Sequence, residues 1–375
     1  MNELTARLDA LRGSGKRKGL DARAIAALTG NPACHRRALL DAAGINKSDL
    51  AAAIDFPMPA DQSQFAITRG NSFEAQVKAN GCAQLLTLLR AVLGFTLPEV
   101  SYDDLKSVGG NDSFSVRHRH TAQVLIRAAA LSDEAGTFFD GPVLELDVAG
   151  YKVHLEPDLV AFRANGKFHV VEIKSFAIID GQAADSSVAA AEVQAAVYVH
   201  AMRELLRSRG LDEGMVSSHA VLVCPKDFTN RPVAVKIDVT NQVAAVRRQL
   251  TRMRRLDSIV ADVSRGATLD RWRDQDQLDL RPAAELIRAL REVQAHYVPQ
   301  CFRVCELAKF CRNDERGSTA ALGRQVRGEL GGLESVAEAV GLAMGVRRPA
   351  ADQVEQAQML QLANSYRAAA LGGAA

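Results

Sequence analysis

An α/β core wrapped in helices is the fold class this sequence predicts, and three observations predict it. Residues 143–148 and 151–155 alternate apolar and polar side chains, as half-buried antiparallel strands do, and 168–173 is a strongly β-prone run. An Ala-rich helical stretch, residues 187–207, separates them from two further β-prone runs at 219–224 and 233–237. On either side of this block the chain reads as helix.

Taken in order, residues 1–60 predict helices broken by loops at Gly30-Asn31-Pro32 and Phe56-Pro57-Met58-Pro59. A helix over about 72–92 places Phe73, Val77, Leu85 and Leu88 broadly on one face, and 117–133 reads as another. Strands are expected at 143–148 and 151–155. Val160 and Phe162 then lead into Asn165-Gly166, a dipeptide that favours a tight hairpin, with 168–173 as the strand beyond it. Thr240 is placed to cap the basic helix that follows 233–237. The resulting division is a helical region over 1–135 carrying Cys34 and Glu74, and a core over 136–260. A helical region over 261–315 carries Cys301, Cys305 and Cys311, and 316–375 is a helical or partly disordered tail. Short amphipathic helices are expected in that tail at 333–344 and 354–363.

The chain has 375 residues, 47% hydrophobic and 24% charged, as an ordinary globular protein does. It has no apolar run of about 18 residues and no signal-like start, so a cytoplasmic protein without a membrane span is expected. A net charge of +2 announces no nucleic-acid partner by itself. Basic residues do cluster, at Lys16-Arg17-Lys18, at 117–120 and along 247–255. The Gly13-Ser14-Gly15-Lys16 run is no phosphate loop: Ala10 stands where the first Gly is needed, and Arg17 replaces the Ser or Thr that would hold magnesium.

The chemistry sits in the strand block. Pro157-Asp158 and Glu172-Ile173-Lys174 flank the expected hairpin, so the two strand ends can meet. Alternation puts Glu172 and Lys174 on one face. Asp158, Glu172 and the backbone carbonyl of Ile173 offer hard oxygen ligands suited to Mg2+ or Mn2+. Lys174 can orient a water or offset developing negative charge. The plain alternative is a solvent-exposed Glu172–Lys174 ion pair. Against it, Val170, Val171 and Ile173 mark a strand made for burial, where ionisable groups have a partner or a task.

Those residues resemble the RecB-like branch of the PD-(D/E)xK nucleases, over roughly residues 30–315. The resemblance implies a restriction-endonuclease-like core, a mixed central sheet flanked by helices, with Lys174, Asp158 and Glu172 as catalytic residues. It also implies that Glu74, in Arg69-Gly70-Asn71-Ser72-Phe73-Glu74, completes the metal site. The branch carries a Gln-x-x-x-Tyr on the next helix, matched here by Gln194 and Tyr198, which it directs toward the site and its DNA.

Six cysteines stand at 34, 82, 224, 301, 305 and 311; Cys82 and Cys224 lie in apolar surroundings and read as core. Cys34, Cys301, Cys305 and Cys311 are similar in arrangement to the iron–sulfur nucleases of the same branch, AddB-type subunits and CRISPR-associated RecB-like exonucleases. That likeness implies a 4Fe-4S cluster tying the helical ends of the chain together. Its first gap is three residues, where the usual pattern has two. Zinc is the rival metal, with His35 a substitute for one thiolate. The functional expectation is a metal-dependent deoxyribonuclease, an exonuclease on single strands or DNA ends. Its setting would be repair, recombination or defence against foreign DNA, with a helicase or defence complex as a possible partner. An endonuclease, a catalytically idle DNA-holding subunit and a zinc-organised interaction protein are the alternatives.

Overall fold

A computed structural model describes residues 3–59, 64–94, 100–130, 136–164, 166–179, 182–227, 229–273, 279–315 and 317–372. The chain opens with helices α1 (Glu3–Arg12), α2 (Ala22–Thr29), α3 (His35–Ala43) and α4 (Lys47–Ala53), followed by the long α5 (Gln64–Leu93). Strand β1 (Ser101–Asp104), helix α6 (Phe114–Ala130) and strand β2 (Thr137–Asp140) come next. Four strands follow: β3 (Leu144–Val148), β4 (Tyr151–Leu155), β5 (Leu159–Ala164) and β6 (Lys167–Ile173). Helix α7 (Asp185–Ser208) leads to β7 (His219–Pro225), β8 (Pro232–Asp238), α8 (Thr240–Arg252) and α9 (Leu256–Ala261). The remainder is helical: α10 (Ala283–Arg291), α11 (Cys301–Val304), α12 (Ala308–Asp314), α13 (Arg324–Glu329), α14 (Val336–Ala343) and α15 (Val354–Gly372). No helix among the described residues is long and apolar enough to cross a membrane.

Two compact units result. One comprises residues 1–45 and 60–267, the other 46–59 and 268–375. In the first, six strands form a mixed sheet in the order β1-β2-β5-β6-β7-β8. β1 with β2 and β6 with β7 are parallel, and the other neighbours antiparallel. This is the mixed α/β architecture that the alternation and the intervening helix predict. One face of the sheet buries Phe138, Leu159, Val171, Ile173, Val221 and Val223 against Phe73, Val77, Leu85 and Leu89 of α5. The other is covered by α7, whose buried Ala191, Ala195, Ala196 and Ala201 let the helix approach closely.

The structure departs from the sequence expectations in four places. The helix expected over 72–92 is broken inside α5: Ala79 is extended, and Asn80, Gly81 and Cys82 are all left-handed, with φ of 54°, 62° and 64°. Segments 143–148 and 151–155 do not join the main sheet; β3 and β4 pair with each other as a separate hairpin. Its two-residue turn has Ala149 at φ 55° and Gly150 at φ 83°, the twist that a tight hairpin demands. Thr240 does not cap α8 with its own side chain. The Asp238 carboxylate accepts from both the Thr240 N–H (2.9 Å) and its hydroxyl (2.6 Å), closing the turn that leads into the helix, while the N-cap residue Val239 makes no side-chain bond. Last, Arg117 is no exposed base: its buried guanidinium donates to the carbonyls of Leu105 (2.9 Å) and Gly141 (2.8 Å) and pairs with Glu156. Asn165 lies outside the described residues, while Gly166 beside it has φ 73°.

The second unit packs the loop after α4 against α12. Phe56 meets Phe310 edge-on at 5.6 Å, and Lys309 Nζ donates to the Pro57 carbonyl at 2.8 Å. A smaller apolar cluster of Leu333, Ala339, Leu342 and Ala357 joins α14 to α15.

Candidate active site

β5 and β6 run antiparallel with Leu159 opposite Val171, a register that sets Asp158 against the carboxy-terminal end of β6. The Ile173 N–H donates to Asp158 Oδ2 at 2.8 Å. On the same strand Lys174 Nζ lies 2.6 Å from Glu172 Oε2, so the two side chains share a face as alternation requires. The pair is not a surface one. Glu172 is 1% exposed, and its Oε1 has no hydrogen-bond partner among the described residues. A buried carboxylate oxygen left orphaned is costly unless a ligand completes it.

Burial and crowding shape the charges. Burial pushes the Glu172 carboxyl up to about 7, with the Asp158 charge adding to the rise and Lys174 opposing it. Asp158 is raised for the same reason, burial first, against Lys174 and the Ile173 N–H. Burial works against the Lys174 ammonium, yet Glu172 and Asp158 outweigh it and hold its pKa above the ordinary value. Two carboxyl groups raised by burial, beside a lysine held charged, make a site that gains from a further cation.

Glu74 reaches the same place from α5. Its Oε1 is 2.6 Å from Lys78 Nζ, which also meets Asp140 Oδ1 at 2.7 Å and the Asp158 carbonyl at 2.8 Å. Asp140, fully buried at the end of β2, is met as well by Lys106 Nζ (2.6 Å) and the Tyr102 hydroxyl (2.5 Å). Burial alone would raise the Asp140 carboxyl; the hydrogen bonds from Lys106, Lys78 and Tyr102 overcome it and hold it below the usual range. Sequence reasoning found neither Lys78 nor Asp140. The available signal for Lys78 was its place four residues after Glu74, on one helix face.

From α7, Tyr198 comes close enough for the Glu172 and Asp158 charges to add to the burial that raises its phenol. Tyr198 is buried, however, and its hydroxyl donates to the Glu156 carbonyl at 3.1 Å. It therefore holds the segment that leads into Asp158, instead of offering a free hydroxyl to a ligand. Gln194, one turn earlier, is half-buried.

The structure thus brings Asp158, Glu172 and Lys174 together, with Glu74 linked to Asp158 through Lys78, and Tyr198 bonded to the segment that leads into Asp158. Among the described residues no three His, Cys, Asp or Glu side chains stand grouped as ready metal ligands, and Glu74 is already held by Lys78. The donor set nevertheless suits a hard divalent cation: carboxylates of Asp158 and Glu172, and one buried oxygen lacking a partner. Such an ion must displace the proton that Glu172 holds below about pH 7. Mn2+ affinity should therefore climb as pH rises through that value and level off above it. Calorimetry at about pH 6 and about pH 8 checks this, with more protons released per ion at the lower pH. Equal affinity at both would show that Glu172 is no ligand.

Of the cysteines, Cys82 and Cys224 are fully buried, as their surroundings predicted, and burial pushes their thiols up to about 11 and about 12. Cys34 is buried at the start of α3 in the first unit. Cys301, Cys305 and Cys311 lie in the second, where the Cys305 N–H donates to the Cys301 carbonyl at 2.8 Å across α11. Burial raises the Tyr297 phenol, Arg312 opposes the rise, and Cys301 and Cys311 add to it.

No family model matches the chain. Nor does any curated protein. Among solved structures, a protein from Eubacterium rectale provisionally assigned as an exonuclease is similar at 13% identity and a TM-score of 0.31, over 69% of this chain and 84% of that one. The protein SSO0001 is similar at 14% identity and a TM-score of 0.20, over 66% of this chain and 83% of its own. Likenesses this distant carry no argument about what the site does.

Proposed function

We propose that this protein is a divalent-metal-dependent nuclease that hydrolyses phosphodiester bonds of DNA, with Asp158, Glu172 and Lys174 as its catalytic residues. One observation carries the reading: a buried Glu172 with an orphaned oxygen, beside Asp158 and in contact with Lys174, at the meeting of two strand ends. Bound by Asp158, Glu172 and the Ile173 carbonyl, with Glu74 at the edge, Mg2+ or Mn2+ would lower the pKa of a water and offset charge on the phosphate. Lys174 orients that water or donates to a phosphate oxygen where charge develops. Tyr198 keeps Asp158 in place through the Glu156 carbonyl. Gln194 is the residue of α7 assigned to DNA contact. Action at ends or on single strands, in repair, recombination or defence, is the form the family resemblance favours. The motif is complete, which favours an active enzyme over an idle DNA-holding subunit.

The reading extends to the cysteines, where Cys34, Cys301, Cys305 and Cys311 hold a 4Fe-4S cluster of structural role, zinc being the other thiolate-loving occupant. This reading rests on the family resemblance and on thiolates being the donors both metals take; among the described residues no three of these side chains stand grouped as metal ligands.

The direct test is labelled DNA, linear and circular, single-stranded, with Mn2+ or with chelator. Cleavage of the linear strand only with metal supports an end-dependent nuclease. Cutting of the circle moves the assignment to an endonuclease, and no metal-dependent cutting of either contradicts the proposal. A second assay addresses α7. Gln194→Ala should slow cleavage several-fold more than Gln182→Ala, which changes an exposed loop residue. Equal rates for the two variants would remove Gln194 from the DNA contact.

A further inference from the structure

The most unusual group near the site is Lys78, which the proposed chemistry does not use. Its ammonium is seated among three oxygens, Glu74 Oε1 at 2.6 Å, Asp140 Oδ1 at 2.7 Å and the Asp158 carbonyl at 2.8 Å. Two of those oxygens belong to residues that flank the candidate metal position. Only 10% of the Lys78 side chain is exposed. Lys78 meets Asp140 Oδ1 while Lys106 and Tyr102 reach Oδ2, so the three together hold the buried carboxylate. What Lys78 adds is a positive charge fixed between β2, β5 and α5.

The backbone shows how it is kept there. α5 stops being helical immediately after Lys78, with Ala79 extended and three left-handed residues in succession, two of them not glycine. Asn80 and Cys82 hold that region at a cost in local strain, which the surrounding packing must sustain. Cys82 is locked in the apolar core, and its Sγ lies 3.9 Å from the Lys78 carbonyl. A helix continuing straight on would carry Cys82, Leu85 and Leu89 away from their present contacts. The break lets α5 place Glu74 and Lys78 at the site and still bury its second half.

Carboxylate nuclease centres that use two divalent ions hold them about 3.5–4 Å apart, bridged by shared oxygens. Here a cation of the protein's own already occupies an oxygen nest that includes Glu74 and Asp158. We infer that Lys78 is a positioning residue of this centre, a built-in cation that fixes Glu74 and the Asp158 main chain and confines the centre to one divalent ion. The inference rests on the proposed nuclease reading. It adds which neighbouring residue sets the number of metals.

Mn2+ titration of the full chain, followed by calorimetry and by electron paramagnetic resonance, tests it without an activity assay. Wild-type protein should take up a single Mn2+ at the carboxylate site, with a mononuclear signal. Lys78→Met empties the nest, and that protein should bind a second Mn2+ and show a spin-coupled pair. Glu172→Gln serves as the control that loses the first ion. Two coupled ions in the wild type would overturn the inference, as would a folded Lys78→Met protein that still binds one. If Lys78→Met does not fold, the wild-type spectrum decides alone. A wild type that binds no Mn2+ at all contradicts the nuclease reading itself, a result distinct from either.

Discussion

Replacing Lys174 with alanine should abolish DNA cleavage while the protein stays folded and still binds DNA. The expected loss is at least about a hundredfold in rate, the scale of removing a donor that stabilises transition-state charge. The fold should tolerate the change because of what Glu172 can do. With its ammonium partner gone, a carboxyl already pushed up to about 7 by burial takes a proton, so Glu172 is not left as a lone buried charge. Asp158→Ala should be equally inactive and should also weaken metal binding. Its stability should fall further, because the Ile173 N–H loses its acceptor. Cleavage rates together with thermal melts separate these outcomes. A Lys174→Ala protein cutting at the wild-type rate would remove the catalytic assignment.

The second large effect is expected at the cysteines. Protein purified without oxygen should be brown, with broad absorbance at roughly 400 nm from thiolate-to-iron charge transfer. Cys34→Ala should lose colour and melting temperature together, as should Cys305→Ala, because ligation adds folding free energy wherever the unfolded chain has no site. Cys82→Ala and Cys224→Ala should keep the colour, since both thiols are core groups with raised pKa values. Colourless protein carrying one equivalent of zinc would replace iron–sulfur with zinc and leave the four ligands standing. A Cys34→Ala protein with full colour and unchanged melting would remove Cys34 from the set.

How much of this was legible in the sequence depended on whether a feature is local. β6 was readable because Phe168 to Ile173 is a continuous β-prone run, and the period-2 rule then placed Glu172 and Lys174 on one face. α7 was readable from its length and alanine content. β1 was not, since Ser101-Tyr102-Asp103-Asp104 is short, exposed along its length and carries no alternation. β2 is only four residues, and the two Phe at its centre are buried by partners far away in the chain. The hairpin of β3 and β4 was legible as strands but not as a separate sheet, because pairing is a tertiary choice. The break in α5 is hinted at only by Asn80-Gly81, within an otherwise helical pattern. In the site, Asp158, Glu172 and Lys174 followed from spacing. Asp140 did not, for it meets Lys78 across 62 residues of chain. The seating of Tyr198 against the Glu156 carbonyl was likewise invisible, since a Gln-x-x-x-Tyr spacing fixes a helix face and not a hydrogen-bond partner.

The central claim is that the buried carboxylates of Asp158 and Glu172 form a metal centre with Lys174 beside them. Crystals of the protein grown with Mn2+ and measured at the manganese absorption edge test it most directly. An anomalous peak within about 2.5 Å of Glu172 Oε1 and an Asp158 oxygen is the predicted result. Full Mn2+ occupancy elsewhere on the protein, with Glu172 Oε1 still lacking any partner, would contradict it.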